Sequence, residues 1–332
     1  MTESCVGTAR VIHGKEMSFN NYVDANAALE AAKDLKDTCG VAIIKHTNPC
    51  GYATGKTLAE AMEAAWAGDP VSAFGSVIAV TRPMDLATAE FLKGDSVRHI
   101  AYEVKDGEYV GSEVPGKFVE VVIAPGYEPE ALDLLKKKSK MIRLLEIDPL
   151  DEGEVEPKTY RKVVGGMLEQ DRDLSLFERF EVVTKKDIPA VKRALAEFAY
   201  KACKHTKSNA IVLCREYAPD QFQVLGMGAG QPNRVDSLRK LAATKARENL
   251  KMEWDAKGMT GDFEAYVAEQ MAEAVLASDA MFPFDDTIQA AGALGIRYIL
   301  QPGGGRNDKV CIATCDELGI AMALTGMRHF LH

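Results

Sequence analysis

The chain has 332 residues, 47% of them hydrophobic, enough for one large core or two smaller ones. Its net charge of −9 and pI near 5.3 argue against a nucleic-acid coat, though not against one small anion in a locally basic pocket. No apolar run approaches the roughly 20 residues of a membrane span, and Met1–Arg10 has no apolar signal-peptide stretch.

In chain order, Asp24 is expected to cap a helix through about Lys36, with Ala28, Leu29, Ala32 and Leu35 on one face. Gly40 stops it, and Val41–Ile44 reads as a buried strand. The Asn-Pro-Cys-Gly stretch (Asn48–Gly51) reads as a turn, and Thr57 with Glu60 forms a capping box for a helix to about Ala67. Ser76–Val80 reads as strand, Asp85–Lys93 as helix, Phe118–Ile123 as strand and Pro129–Lys138 as helix with a basic C-terminal end. This alternation predicts a largely parallel sheet covered by helices.

A polar stretch, Asp148–Lys162, interrupts the pattern, and a domain boundary is expected near residue 185, giving units 1–185 and 186–332. A helix from Asp187 carries Val191, Leu195, Phe198 and Ala202 on one stripe. Asn209–Cys214 and Phe222–Leu225 read as strands, Arg234–Asn249 and Phe263–Ala277 as helices, and Arg297–Leu300 and Ile320–Leu324 as late strands. "VAIIKHTNPCG" echoes "ACKHTKSNAIV", with Lys-His-Thr and a nearby Asn in each, as two copies of one α/β unit would leave behind.

Cys5, Cys39, Cys50, Cys203, Cys214, Cys311 and Cys315 are odd in number and scattered, unlike a disulfide framework, so a reducing cytoplasm is the expected setting. Cys311-x3-Cys315 lacks a second pair or a nearby His, so no metal is expected there. His46 does not open an H-x-E motif and Cys50 no C-x-x-C, which excludes a deaminase-type zinc site.

Gly55-Lys56-Thr57 approximates a phosphate loop. However, three residues rather than four separate it from Gly51, and Cys50 stands where the first glycine belongs. Lys45-His46 follows an apolar strand, where ligands of α/β sheets gather. Histidine moves protons near pH 7, and an adjacent ammonium stabilises developing negative charge. The alternative is a solvated Lys and a backbone-bonded His. "GMGAGQPNR" is no dinucleotide fingerprint; its glycines admit close approach to a ligand or make a tight turn. Phe282 and Phe284 around Pro283, followed by Asp285 and Asp286, suit either a heteroaromatic ligand with N–H donors or core packing with a helix cap. Arg328 is either a phosphate clamp or a surface Arg.

Eight blocks in order resemble one family: "GKEMSFNNYVDANAAL", "KHTNPCG", "DPVSAFG", "EVVIAPGYEPEAL", "KSNAIV", "GAGQPNR", "SDAMFPFDD" and "DELGIAMALTGMRHF". The family is the AICAR transformylase domain (AICAR is aminoimidazole carboxamide ribotide), usually fused to IMP cyclohydrolase. The resemblance implies two cytidine-deaminase-like three-layer α/β/α subdomains and an intertwined homodimer with interfacial active sites. It implies formyl transfer from 10-formyltetrahydrofolate to the 5-amino group of AICAR in purine biosynthesis. It assigns Lys45, His46 and Asn209 to catalysis: His46 as base or proton shuttle, Lys45 as electrostatic support, Asn209 orienting the formyl group and stabilising the tetrahedral intermediate. Asn21, Gly75 and Glu120 would contact AICAR, with Arg234 and Arg328 toward its nucleotide and phosphate. Phe282, Phe284 and Asp286 would contact the folate rings. Met281 stands where many relatives carry an aromatic, and Glu120 where relatives carry Asp. A monovalent cation near the C-terminus is compatible with the resemblance.

The cyclohydrolase part, and the Arg-Tyr-Gly-x-Asn-Pro-His-Gln segment that supplies a phosphate-binding Arg in the family, do not occur in these 332 residues. A separate cyclohydrolase would then close the ring, and Arg10 or another basic residue would replace the missing Arg beside Arg328. Two other readings stay open: a non-catalytic AICAR or purine-nucleotide sensor, and a formate- and ATP-dependent AICAR formylase.

Overall fold

The structure is a computed structural model that describes residues 3–94, 100–113, 116–150 and 153–332. An edge strand, β1 (Arg10–His13), precedes a first unit: α1 (Phe19–Lys33), β2 (Cys39–Lys45), β3 (Asn48–Gly55), α2 (Leu58–Trp66), β4 (Ser76–Val80) and α3 (Leu86–Lys93). A separate hairpin, β5 (Ile100–Lys105) and β6 (Glu108–Glu113), leads to β7 (Val119–Ala124), α4 (Pro129–Lys138) and β8 (Arg143–Glu146). A second hairpin, β9 (Lys158–Val163) and β10 (Gly166–Asp171), and a short strand, β11 (Glu181–Val182), follow.

The second unit repeats the first. It runs α5 (Arg193–Lys204), β12 (Ile211–Ala218), β13 (Gln221–Gly228), α6 (Arg234–Asp236), a π turn (Ser237–Ala242), α7 (Ala243–Ala256) and α8 (Phe263–Glu273). It closes with β14 (Val275–Ser278), α9 (Asp286–Ala293), β15 (Tyr298–Gln301), α10 (Asp308–Leu318) and β16 (Ala321–Leu324).

Both units share one twelve-stranded sheet, in the order β1-β8-β7-β4-β2-β3-β13-β12-β14-β15-β16-β11. The order is the same read from either edge once each strand is matched to its counterpart. The units join where β3 meets β13 antiparallel at Ala53 and Gln223. The sheet is mixed rather than largely parallel. Parallel pairing is confined to β4-β7-β8 and β14-β15-β16, while each unit's first two strands form an antiparallel hairpin. Strand β11 lies before residue 185 in sequence and pairs with β16 of the second unit.

Alternation along the strands makes three layers. Ala42 and Ile44 face a core formed with α1 and α5 that spans both units. Val41 and Ile43 face the opposite layer, over α2, α3 and α4. In β12, Val212 and Cys214 join the shared core, while Ile211 and Leu213 pack with α7, α9 and α10.

The glycines of the near-phosphate-loop serve this layering. Asn48–Gly55 is a strand, not a turn. A Cβ on Gly51 would lie 2.2 Å from the Ala65 carbonyl oxygen, and one on Gly55 2.6 Å from the Ala61 nitrogen, so α2 rests directly on β3. The second unit repeats the device. Gly226 and Gly228 lie in β13, where a Cβ would meet the Ala242 and Ser237 carbonyls at 2.1 and 2.0 Å. These glycines therefore pack helix on strand, and no backbone cradle for a phosphate forms at either place.

The Thr57–Glu60 capping box and the Asp85 cap form as expected. Helix α1, however, starts at Phe19 with Ser18 as its cap, so Asp24 lies inside the helix. Val191 is 80% exposed and falls outside the buried stripe of α5. Val275–Ala277, read as a helix tail, belong to strand β14. No helix among the described residues is long and apolar enough to cross a membrane, and all seven cysteines are free.

Candidate active site

The strand directions bring the sequence-predicted residues to one end of the sheet. The β2–β3 turn lies there, with the starts of β4, β7 and β8 beside it. So do the start of β12, the end of β13 and the carboxyl ends of β14, β15 and β16. Lys45, His46, Gly75, Glu120, Asn209, Phe284 and Arg328 all sit in or next to these termini. Arg10 does not: it pairs with Glu146 at the far end of β8. Within one chain it therefore cannot stand beside Arg328 as a replacement phosphate ligand.

His46 occupies a two-residue hairpin turn, since Lys45 ends β2 opposite Asn48 at the start of β3. His46 and Thr47 both have positive φ, 50° and 64°, the pattern of a type I′ turn, which ordinarily selects Asn-Gly. Side-chain residues there, and β-branched Thr above all, store roughly 1–3 kcal/mol each. Three contacts hold the turn. The Thr47 N–H donates to Asp24 Oδ1 at 2.8 Å, Asn48 Oδ1 accepts from the Lys207 N–H at 3.1 Å, and Asn48 Nδ2 donates to the His46 carbonyl at 3.3 Å. The result is an exposed imidazole on a clamped backbone.

Lys45 Nζ donates to the carbonyls of Phe74 and Gly75 at 2.7 and 3.0 Å. An ammonium has three hydrogens, so one remains for a ligand. Gly75 has φ 71°, and a Cβ there would lie 2.9 Å from Lys45 Nζ. Cys50, just past the turn, is fully buried; burial and the nearby Asp69 push its thiol well up, so it offers no thiolate.

Asn209 follows a buried polar network. Asp279 accepts from Ser208 Oγ at 2.5 Å, from the Ala210 N–H at 3.1 Å and from Arg234 at 2.9 Å. Arg234 also donates to Ser278 Oγ. Its charge is thus turned inward to fix the loop. Asn209 Nδ2 donates to the carbonyls of Gln231 and Pro232 at 2.9 and 3.0 Å. Both amide hydrogens are engaged, and Oδ1 remains as an acceptor. Ser237 Oγ donates to the Asn209 carbonyl at 2.7 Å.

Glu120 pairs with Arg143 at 2.6 Å, and Arg143 also donates to the Glu16 carbonyl. Asn21 Oδ1 accepts from Ser18 in a capping box at the start of α1. An open cavity of about 410 Å³ lies beside it, lined by Val11, Gly14, Lys15, Glu16, Met17 and Tyr22. Arg328 is exposed, and its guanidinium stands 5.5 Å from the Phe330 ring. Phe284 is 63% exposed, whereas Phe282 is 0% exposed and belongs to the core of the second unit. Asp286 is exposed at the start of α9, its Oδ1 accepting from the Thr287 N–H.

The second Lys-His-Thr does different work. His205 Nε2 contacts Asp34 at 2.7 Å and Lys204 Nζ lies 3.1 Å from it, tying the end of α5 to the end of α1. Burial raises the Asp34 carboxyl, but His205 and Lys204 more than offset this and hold it well below the usual range. Asp24, Ser208 and Asp279 are the groups that sequence reasoning missed. Asp24 was concealed by its resemblance to a helix cap.

The family model described as AICARFT/IMPCHase bienzyme matches residues 1–245. The chain is 40% identical over 328 residues to the bifunctional purine biosynthesis protein PurH of Trichodesmium erythraeum, covering 98% of this chain and 53% of that protein. It is also 40% identical to the proteins of that name from Rhodopirellula baltica and Aquifex aeolicus, over 98% of this chain and 54% of each. The chain spans about half the length of these curated relatives. By the match over most of its length, the chain belongs to the AICARFT/IMPCHase bienzyme family.

Proposed function

We propose that this chain transfers the formyl group of 10-formyltetrahydrofolate to the 5-amino group of AICAR, giving FAICAR and tetrahydrofolate in purine biosynthesis. The observation that carries this reading is the hydrogen bond from the Lys207 N–H to Asn48 Oδ1, which joins the His46 turn to the Asn209 loop. On this reading an imidazole and a carboxamide from the two units act on one substrate beside the carboxyl ends of β14, β15 and β16, where α/β sheets bind ligands.

The amine of AICAR is conjugated to an electron-poor ring and is a weak nucleophile. As its nitrogen bonds to the formyl carbon, the carbonyl oxygen becomes an oxyanion and the amine loses a proton to His46, directly or through the substrate carboxamide. Collapse breaks the bond to folate N10, which takes the proton from the imidazolium. The free hydrogen of Lys45 serves the oxyanion, a contribution of roughly 3–4 kcal/mol for a well-placed donor. Asn209, with its amide hydrogens engaged, acts through Oδ1 as an acceptor that aligns the attacking amine.

Asn21, Gly75 and Glu120 bind AICAR, Glu120 from its pairing with Arg143, and Arg328 takes the phosphate. Arg234 contributes by holding the Asn209 loop. Phe284 and Asp286 meet the folate rings, with Phe282 supporting them from the core. Hydrogen-bonded oxygens lie near the C-terminus, Ser208 on Asp279 and, as a separate set, Tyr200 between Thr325 and the Met327 carbonyl. Such hard donors suit an alkali cation rather than a transition metal.

Each unit is read as a cytidine-deaminase-like subdomain, with the boundary near residue 185. The chain acts as a homodimer. In support, among the described residues β9–β10 pair only with each other, and this hairpin exposes Tyr160 and Met167 on one face and Val163 and Leu168 on the other, apolar surface that a second copy would cover. Ring closure to IMP belongs to a cyclohydrolase unit outside these 332 residues. ATP-dependent formylation is disfavoured, because Gly51 and Gly55 face α2 rather than a phosphate.

Incubation with AICAR and 10-formyltetrahydrofolate, followed by the absorbance of tetrahydrofolate, tests the reading. Turnover without ATP is expected. AICAR binding without turnover would indicate a sensor, and turnover only with formate and ATP a ligase; either result overturns the proposal.

A further inference from the structure

Resting on the formyl-transfer reading, we infer that Asp24 is a positioning residue that holds the His46–Thr47 turn in its reactive geometry. The turn has only two residues, so the direction of His46 follows from the backbone of Thr47. That backbone, at φ 64°, is one a β-branched residue rarely adopts. Its N–H is held at 2.8 Å by Asp24 Oδ1 from α1, a charge-assisted bond stronger than a neutral one.

The helix adds a second link. Asn21 lies three residues before Asp24, so the two share one face of α1. A substrate contact at Asn21 and the clamp on the base therefore ride on the same rigid element, whose N-terminus is fixed by the Ser18–Asn21 capping box. On the other flank, Asn48 ties the turn to Lys207. With Asp24 gone, the second unit still anchors the start of β3. Thr47, however, is free to relax toward negative φ and swing the imidazole away. A displacement of about 1 Å in such a group can cost about 100-fold in rate.

The test compares Asp24→Ala with Asp24→Asn, which keeps an Oδ1 acceptor. Turnover is measured at saturating AICAR and folate, with the ring resonances of His46 followed in histidine-labelled protein. Asp24→Ala is expected to lose roughly 10- to 100-fold in kcat, with KM for AICAR within about twofold of the parent value. The single His46 resonance should broaden or split. Asp24→Asn is expected to keep kcat within about threefold and one resonance, because an amide oxygen still accepts from Thr47.

The inference is overturned if Asp24→Ala leaves kcat and the resonance unchanged, or if Asp24→Asn is as impaired as Asp24→Ala. Should the Ala variant not fold, Asp24→Asn decides alone, by retention or loss of kcat. If the parent protein has no formyl-transfer activity, the reading of function falls, and the His46 resonance still decides whether Asp24 fixes the turn.

Discussion

Lys45 Nζ donates to the Gly75 carbonyl at 3.0 Å, and a Cβ on Gly75 would lie 2.9 Å from that same nitrogen. Glycine is needed there twice over, for its positive φ and for the space the ammonium fills. Gly75→Ala should therefore act on catalysis more than on folding. The left-handed conformation costs a side chain about 1–2 kcal/mol, while displacing Lys45 should lower kcat roughly 10-fold or more. Paired steady-state kinetics and thermal unfolding check this; unchanged kcat would detach Lys45 from the reaction.

Phe282 and Phe284 are two residues apart and should behave as different kinds of residue. Truncating buried Phe282 to Ala removes core packing and should destabilise by about 3–5 kcal/mol. Phe284→Ala, on the surface, should leave stability within about 0.5 kcal/mol and raise KM for the folate. Denaturant titration and folate saturation curves on both variants separate the roles. A stable Phe282→Ala with a raised folate KM would reverse them.

The two Lys-His-Thr segments make a similar pair. His205→Ala should cost about 1–3 kcal/mol by leaving Asp34 short of a partner, with kcat unchanged. Loss of kcat in a folded His205→Ala would show that this copy also serves the chemistry.

Acid stability should depend on Glu3. Two hydrogen bonds from Arg172, at 2.8 and 2.9 Å, lower its carboxyl to about 2 against burial, with help from Lys33. A depressed folded pKa contributes stability that is complete above 4.5 and lost as pH falls toward 2. Its size is of order 1–2 kcal/mol after allowing for solvent screening. In Glu3→Gln, unfolding free energy measured from pH 6 to 2 should lack that component. Parallel curves for both proteins would contradict the assignment.

Much of this fold was legible where local chemistry and tertiary structure agree, as at the Thr57–Glu60 capping box, the Asp85 cap and strands β4 and β7. The misses have physical causes. Asn48–Gly55 contains Asn-Pro and two glycines, the marks of a turn. Those glycines instead admit α2 onto a strand, a demand that only the packed layers reveal. Val275–Ser278 is buried on both faces, so it has no alternation to distinguish it from the end of α8.

The Lys-His-Thr echo pointed to a duplication through residues that are not equivalent, since one copy lies in a hairpin turn and the other at a helix end. The repeat is better marked by "IAPG" across the end of β7 and "LQPG" across the end of β15, which occupy matching places in the two units. Of the site, the blocks named residues whose surroundings only the fold supplies. The inward pairing of Arg234, the burial of Phe282 and the distance of Arg10 could come only from the strand directions.

The most direct measurement is formyl transfer by His46→Ala beside AICAR binding by the same variant. Turnover should fall by roughly 100-fold or more, as for loss of a general base, while the AICAR dissociation constant stays within about threefold of the parent value. Near-parental turnover in His46→Ala would contradict the account at its centre.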